Sequence, residues 1–280
     1  HKLSEDDPEM KEEARAIFAQ LEQGDPALSE IWKKFRDLSI RDFDKTYRKL
    51  GVSFDTYIGE SYFNDGADRV IGDCFAKGLC KKDAETGAVV VDSLEGIPSF
   101  LLQKQDGSSL YATRDLEALR FRIETFKPSL ISYVVGSEQS LYFRQLFELG
   151  RAMGYLPPGV EVKHIDFGMV LKEGKKMSTR KGTLIELEDL IGQSIDKSKK
   201  ILAEKNPELK SHELEEISEI VGIGAIIYND LRQSRTTNIS FDWDKMLNFE
   251  SGSAVYLQYT YVRIKSILRR VEEACKEETE

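Results

Sequence analysis

The residues of this chain able to do chemistry gather in a few short segments. Five cations, Lys172, Lys175, Lys176, Arg180 and Lys181, fall within ten residues, with Gly174 and Gly182 around the centre. A glycine-flanked cationic loop suits a polyphosphate, whose charge grows on a leaving pyrophosphate. The chain has no G-x-x-x-x-G-K-[ST] spacing, so this is not a Walker-type loop. A solvated basic loop or a general nucleic-acid patch would have the same composition. In Tyr111-Ala112-Thr113-Arg114-Asp115, Asp115 offers a carboxylate for bidentate pairing with a guanidinium, and Tyr111 a hydroxyl and an aromatic face. A first-turn acid beside a core tyrosine accounts for that string equally well. In Gly136-Ser137-Glu138-Gln139, the glycine permits close approach to the backbone. Glu138 offers an acceptor for ribose hydroxyls, and Gln139 offers both donor and acceptor. A capped strand-to-helix turn is the simpler explanation of that segment.

The elements that must position these residues can be read from the pattern. Two helices fill the first fifty residues, separated at Gly24-Asp25-Pro26, with Asp25 as N-cap and Pro26 as first helical residue. Val52, Phe54 and Tyr57 suggest a short strand, and 62–78 a helix. Residues 79–112 read as a small β-rich insertion around the turn Glu85-Thr86-Gly87. Ser109 to Ala112 reads as a strand, 113–126 as a helix closed by Pro128. The apolar run Leu130 to Val135 reads as a strand buried on both faces of a parallel sheet. A helix with Tyr142, Leu146, Leu149 and Met153 on one stripe follows, then a strand from Val160 to Gly168. This alternation implies a doubly wound α/β sheet, where ligands bind beyond the carboxyl ends of the strands. Tyr111–Asp115, Gly136–Gln139 and Phe167–Met169 would all lie at such ends. Beyond Thr183 the pattern turns helical, over 187–204, 211–233 and 251–277. In the last helix Leu257, Tyr261, Ile264, Leu268 and Val271 imply one face buried against neighbouring helices.

Composition narrows the class. Of 280 residues, 40% are hydrophobic, enough for a sizeable core, and no apolar run nears the ~20 residues of a membrane span. Three scattered cysteines and three scattered histidines predict neither a disulfide framework nor a structural metal site, and fit a reducing cytosol. A net charge of −9 argues against sequence-independent binding to nucleic acid, leaving room for a local basic face. The chain opens on His1-Lys2-Leu3, without Met and without a secretory signal, as expected of a sequence that begins inside a longer protein.

Longer strings carry a resemblance. KMSTR, Lys176 to Arg180, looks like the KMSKS motif of class I aminoacyl-tRNA synthetases. DGSSLYATRDLEA (Asp106 to Ala118), YVVGSEQSLYFRQLF (Tyr133 to Phe147), HIDFGMVL (His164 to Leu171) and KMSTRKGT (Lys176 to Thr183) together resemble arginyl-tRNA synthetases. So do WKKFRDLSI (Trp32 to Ile40), RQSRTTNISFDWDKMLNFE (Arg232 to Glu250) and VYLQYTYVRIKSILRR (Val255 to Arg270), in the family's order.

The resemblance implies a fold and an activity. The fold would be the later part of a class I Rossmann-like catalytic domain, 1–186, with an insertion at about 55–105. A helical bundle over 187–280 would begin the anticodon-binding domain. The implied activity is ATP-dependent formation of arginyl-adenylate and its transfer to tRNA(Arg), in the cytoplasm. ATP would come with Mg2+, and no membrane, DNA or protein-bound structural metal would take part. Tyr111, Asp115 and Gln139 would hold the substrate arginine. Gly136, Glu138, His164, Gly168, Met169, Val170, Lys175 and Met177 would meet ATP. Lys176, Ser178 and Arg180 would be the catalytic residues of the phosphate loop. Two departures stand out. Thr179 replaces the second lysine of KMSKS, leaving Lys175, Arg180 or Lys181 to supply that cation. The H-x-G-H-type motif is not in this sequence, which keeps a non-catalytic tRNA- or protein-binding member of the same family as the alternative.

Overall fold

The computed structural model describes residues 7–94, 96–105, 110–172, 175–176, 186–240 and 254–277. In chain order its first half contains α1 (Pro8–Glu22), α2 (Pro26–Lys49), a 3-10 helix (Glu60–Gly66), α3 (Ala67–Ala76), β1 (Cys80–Lys82), β2 (Val89–Val91), β3 (Phe100–Gln103) and α4 (Tyr111–Phe126). The second half contains β4 (Leu130–Gly136), α5 (Ser140–Ala152), β5 (Glu161–Phe167), β6 (Val170–Lys172), β7 (Lys175–Lys176), α6 (Leu187–Lys205), α7 (Ser211–Leu231), β8 (Ile239–Ser240) and α8 (Ala254–Glu277). These form two compact units. One is Asp55–Met169 with Arg235–Asn238; the other joins His1–Phe54, Val170–Ser234 and Ile239–Glu280.

In the first unit, β1, β2 and β3 make an antiparallel meander, the β-rich segment expected from the sequence. Asp83 shapes its first turn, accepting from the backbone of Thr86 at 2.8 Å and from its hydroxyl at 2.7 Å. Val89, Val91 and Leu102 of the meander share one core with Val70 and Cys74 of α3 and with Leu116 of α4. The parallel pair β4 and β5 is joined through α5, whose Phe143, Leu146, Phe147 and Leu149 are buried in the same core. This is one βαβ unit, the building block of a parallel α/β sheet.

Two readings change here. Tyr111 and Ala112 are helical, because Leu110 is extended and α4 begins directly after it. The hydroxyl of the fully buried Thr113 donates to the carbonyl of Leu102 at 2.6 Å, tying that first turn to β3. And β4 is not covered on both faces: Tyr133 and Val135 pack on the core, whereas Val134 is 67% exposed. Only the face against α5 is covered among the described residues, so the apolar run alternates in burial.

A buried carboxylate fixes α4 against its neighbours. Glu117, 6% exposed, pairs with Arg69 of α3 and with Arg120 one turn along, the latter at 2.7 Å. Gly66 lies so close that a Cβ there would overlap the Glu117 side chain. Burying a carboxylate is tolerable only when it is paired and hydrogen-bonded.

In the second unit, Asp7 and Asp25 cap α1 and α2, accepting from Met10 and Leu28 backbone N–H groups, with Pro8 and Pro26 starting each helix. The sequence placed both the break and the cap of α2 correctly. Helices α6 and α7 touch closely at Gly222, where a Cβ would stand 2.8 Å from the Ile195 backbone, and the Ser194 hydroxyl donates to the Gly222 carbonyl at 2.7 Å. On α8, Ala254 is buried and Gln258 donates to the Ile220 carbonyl of α7 at 3.1 Å. Its stripe Leu257, Tyr261, Ile264, Leu268 and Val271 is exposed, contrary to the buried face expected. The helix meets α7 near its start, and no described element covers the rest of that stripe. Residues 52–57, expected as a strand, form no ladder; Phe54 instead packs edge-on against Tyr47 with ring centroids 4.9 Å apart.

Replacing the pinned carboxylate should expose its role. Glu117→Gln removes the counter-ion shared by Arg69, which is half exposed, and Arg120, which keeps Glu124, and should cost about 1.5 kcal/mol of unfolding free energy, read from urea denaturation. A loss under about 0.5 kcal/mol would show that the pair does not hold α4.

Candidate functional site

The first turn of α4 opens onto a cavity of about 180 Å³. Its walls include Glu60 and Phe63 of the 3-10 helix and Tyr111, Arg114, Asp115 and Arg122 of α4. Tyr111 stands 67% exposed at the rim, with the Arg114 guanidinium 5.6 Å from its ring centroid. Arg114 also pairs with Glu60 at 2.8 Å. Asp115 is half-buried, and Tyr142 of α5 donates its hydroxyl to it. Arg122 donates to the Tyr133 hydroxyl at 3.1 Å. The bond to Asp115 thus comes from a neutral hydroxyl, while the nearby guanidiniums of Arg114 and Arg122 bond to other partners.

Burial pushes the Asp115 carboxyl above the ordinary carboxylate range, against the opposing pull of the Tyr142 hydrogen bond and of Arg122 and Arg114. Burial also pushes the Tyr142 phenol upward, helped by the Asp115 charge beside it. The site therefore holds a partly desolvated carboxylate, hydrogen-bonded by Tyr142 and with the Arg114 and Arg122 guanidiniums nearby.

Of the sequence-selected residues, Tyr111 and Asp115 line this cavity together. Gly136 ends β4, and Glu138 and Gln139 lie exposed on the 3-10 turn after it; Gln139 is not a wall of the cavity. A Cβ on Gly136 would overlap the Glu138 carboxylate, so the glycine lets that side chain fold back over the strand end. His164 lies within β5, opposite Tyr133, its ring stacked 4.6 Å from Phe143 and bonded to the Val135 carbonyl at 3.0 Å. At the end of β5, Gly168 donates to the Arg235 carbonyl at 2.9 Å, and Met169 to the Asn238 side chain at 2.8 Å. Arg235 in turn pairs with Asp166 at 2.7 Å. Val170 opens β6, where it pairs with Ile239, and Lys175 and Lys176 form β7 opposite Lys172 and Leu171. Met177, Ser178 and Arg180 lie outside the described residues.

Glu60, Arg122 and Tyr142 were not picked out as site residues from the sequence. In the sequence pattern Tyr142 reads only as part of a packing stripe. Each reaches the site through a contact between elements, which local spacing does not display.

The sequence model of the family described as tRNA synthetases class I (R), catalytic domain, matches residues 1–243. The chain belongs to this family. It is 42% identical over 271 residues to the arginine–tRNA ligase of Exiguobacterium sp., covering 96% of this chain and 48% of that protein. It is also 42% identical over 280 residues to the Clostridium kluyveri arginine–tRNA ligase, covering 100% of this chain and 49% of that protein. The chain thus spans about half the length of these curated relatives. Among solved structures, the arginyl-tRNA synthetase of Plasmodium falciparum matches with a TM-score of 0.79 and 26% identity, over 93% of this chain and 44% of that one. The Thermus thermophilus arginyl-tRNA synthetase shares the fold, with a TM-score of 0.68 at 21% identity, over 89% and 49%. The α/β arrangement followed by helices is therefore that of a partial class I synthetase.

Two outcomes test the geometry. A Cβ at Gly168 would stand 2.3 Å from the Thr237 carbonyl oxygen, a backbone atom that cannot swing aside. Gly168→Ala should cost about 2 kcal/mol in urea unfolding; an unchanged midpoint would mean that residues 235–238 do not pack on the strand end. Asp115 titrates higher folded than unfolded, so its contribution favours folding at low pH and is lost as pH rises through its raised value. Asp115→Asn keeps an acceptor for Tyr142 and removes the buried charge. Its melting temperature should exceed that of the parent at neutral pH, the gain fading on acidification through that raised value. A lower melting temperature at pH 7.5 would contradict the buried-anion reading.

Proposed function

We propose that this chain is the arginine-holding part of an arginine–tRNA ligase. The observation that carries the proposal is the half-buried Asp115, bonded by a neutral hydroxyl and facing a cavity beside Tyr111. A guanidinium entering that cavity would add a direct, charge-assisted and orientation-specific pair to the more distant compensation that Arg122 and Arg114 give Asp115. Glu60 sets a second carboxylate on the same wall. Gln139, at the end of β4, would take the main-chain end of the amino acid, and Tyr111 would close over its side chain.

In this reading the arginine carboxylate attacks the α-phosphorus of ATP, displacing pyrophosphate, and the terminal adenosine of tRNA(Arg) then attacks the arginyl-adenylate carbonyl. No protein nucleophile is required; the chain contributes positioning and charge. Gly136 and Glu138 would meet the ribose of ATP, and the backbone at Gly168, Met169 and Val170 its adenine. His164 would support that strand end from within β5, since its ring is packed on Phe143. Lys175, Lys176, Met177, Ser178 and Arg180 would gather the phosphates. Magnesium belongs here to the ATP substrate, on phosphate oxygens. The described residues hold no group of three His, Cys, Asp or Glu able to cage it. Residues 1–186 would belong to the catalytic domain and 187–280 to the start of the anticodon-binding helices. No described helix is long and apolar enough to cross a membrane, and the proposed role places the protein in the cytoplasm.

Aminoacylation by the whole gene product tests this directly. With ATP and tRNA(Arg) it should charge arginine, and charging of lysine or glutamate instead would refute the assignment. Asp115→Ala should raise the KM for arginine about a hundredfold, as removal of a buried hydrogen-bonded charge partner does. An unchanged KM would remove Asp115 from the guanidinium site.

A further inference from the structure

Asp115 and Tyr142 come from different elements, α4 and α5, and are 27 residues apart in sequence. Both are half-buried, and Tyr142 is itself held edge-on against Phe143 with centroids 5.4 Å apart. We propose that Tyr142 is a positioning residue for the substrate arginine: its hydroxyl grips one edge of the Asp115 carboxylate and turns the other toward the cavity. The inference rests on the arginine-binding reading above. A guanidinium is a planar fork, and pairs well only with a carboxylate presented in a matching plane. A carboxylate able to rotate about its last bond would lose that match.

The surrounding groups favour this division of labour. Arg114 and Arg122 face Asp115 from its own helix, Tyr133 from β4, Tyr142 from α5, and Glu60 faces Tyr142 from the 3-10 helix. Arg122 is spent on Tyr133, lying 5.3 Å from its ring centroid as well as bonding its hydroxyl, and Arg114 on Glu60. The phenol of Tyr142 donates to Asp115 directly. With its acidity suppressed by burial, it stays protonated across the working range, a constant donor. The hydrogen bond also favours the ionised carboxylate against the burial that opposes it. Tyr142 thus both orients Asp115 and keeps it charged.

Tyr142→Phe keeps the ring and removes the donor. In the whole gene product it should weaken arginine binding about tenfold at pH 7.5, measured calorimetrically, with ATP affinity within twofold of the parent. On acidification arginine binding should fail at a higher pH than in the parent, because Asp115 then protonates more readily. A role in packing alone would not move that acid limb. Tyr142→Met, which also lacks a donor, carries the same reading if the phenylalanine protein does not fold. Parent-like affinity with an unmoved acid limb would overturn the inference, and so would equal weakening of arginine and ATP. If the parent protein itself bound no arginine, the proposed function would fall and this inference with it. Arginine binding by the parent with unaffected variants would remove only Tyr142.

Discussion

The architecture around α4 depends on how a helix can carry a buried and a half-buried acid two residues apart. Residues at i and i+2 point to different faces, so Asp115 and Glu117 meet different surroundings. Glu117 is neutralised by two guanidiniums of the chain itself, Arg69 and Arg120. Asp115 receives a hydrogen bond from a neutral phenol. One carboxylate is a completed internal contact that locks the helix to α3 and to the 3-10 segment. The other has Arg114 and Arg122 near it, each bonded to another partner, and opens on a cavity. The first makes the second tolerable, because a helix pinned on one face can hold an energetically unfavourable group on another.

The backbone of this arrangement was legible in the sequence because it rests on local signals. Asp25-Pro26 announced the start of α2, the turn at Glu85–Gly87 announced the meander, and the run to Gly136 announced a strand. Asp115 and Tyr111 can be selected because a carboxylate able to pair with a guanidinium stands close in sequence to a hydroxyl-bearing aromatic residue. What stayed hidden depends on distant partners. Glu60 lies among residues that repeat no period, and Tyr142 is indistinguishable by spacing from Leu146 or Leu149. Its hydroxyl matters only because α5 folds back beside α4.

The misread elements fail for a related reason. Hydrophobic pattern records what a residue can bury, not which partner is present to cover it. The run Leu130 to Val135 is apolar enough for two covered faces, yet Val134 is open because the described part of this sheet has two strands and one helical layer. The stripe on α8 follows the same logic, with a helical period but no described neighbour beyond its first turns. Residues 52–57 are β-prone in composition, but Phe54 finds its contact on the ring of Tyr47. Both uncovered apolar surfaces sit in a chain that spans about half the length of its curated relatives.

The strand end at Gly168 shows how the same economy of contacts serves a binding surface. The N–H groups of Gly168 and Met169 are satisfied by the backbone and side chains of residues 235–238, and the Asp166 carboxylate by Arg235. A segment that follows α7 in sequence therefore shapes the end of a strand some seventy residues earlier. Any side chain at 168 would force the two apart, since the nearest obstacle is the carbonyl of Thr237 rather than a flexible group. The glycine is needed here for approach between two stretches of protein, not for a left-handed turn. If adenine meets this edge, it must do so beside Gly168 and Met169, whose N–H groups are already engaged. That would favour recognition by shape and stacking over recognition by fresh backbone N–H groups, and it would make the geometry of residues 235–238 part of the nucleotide site.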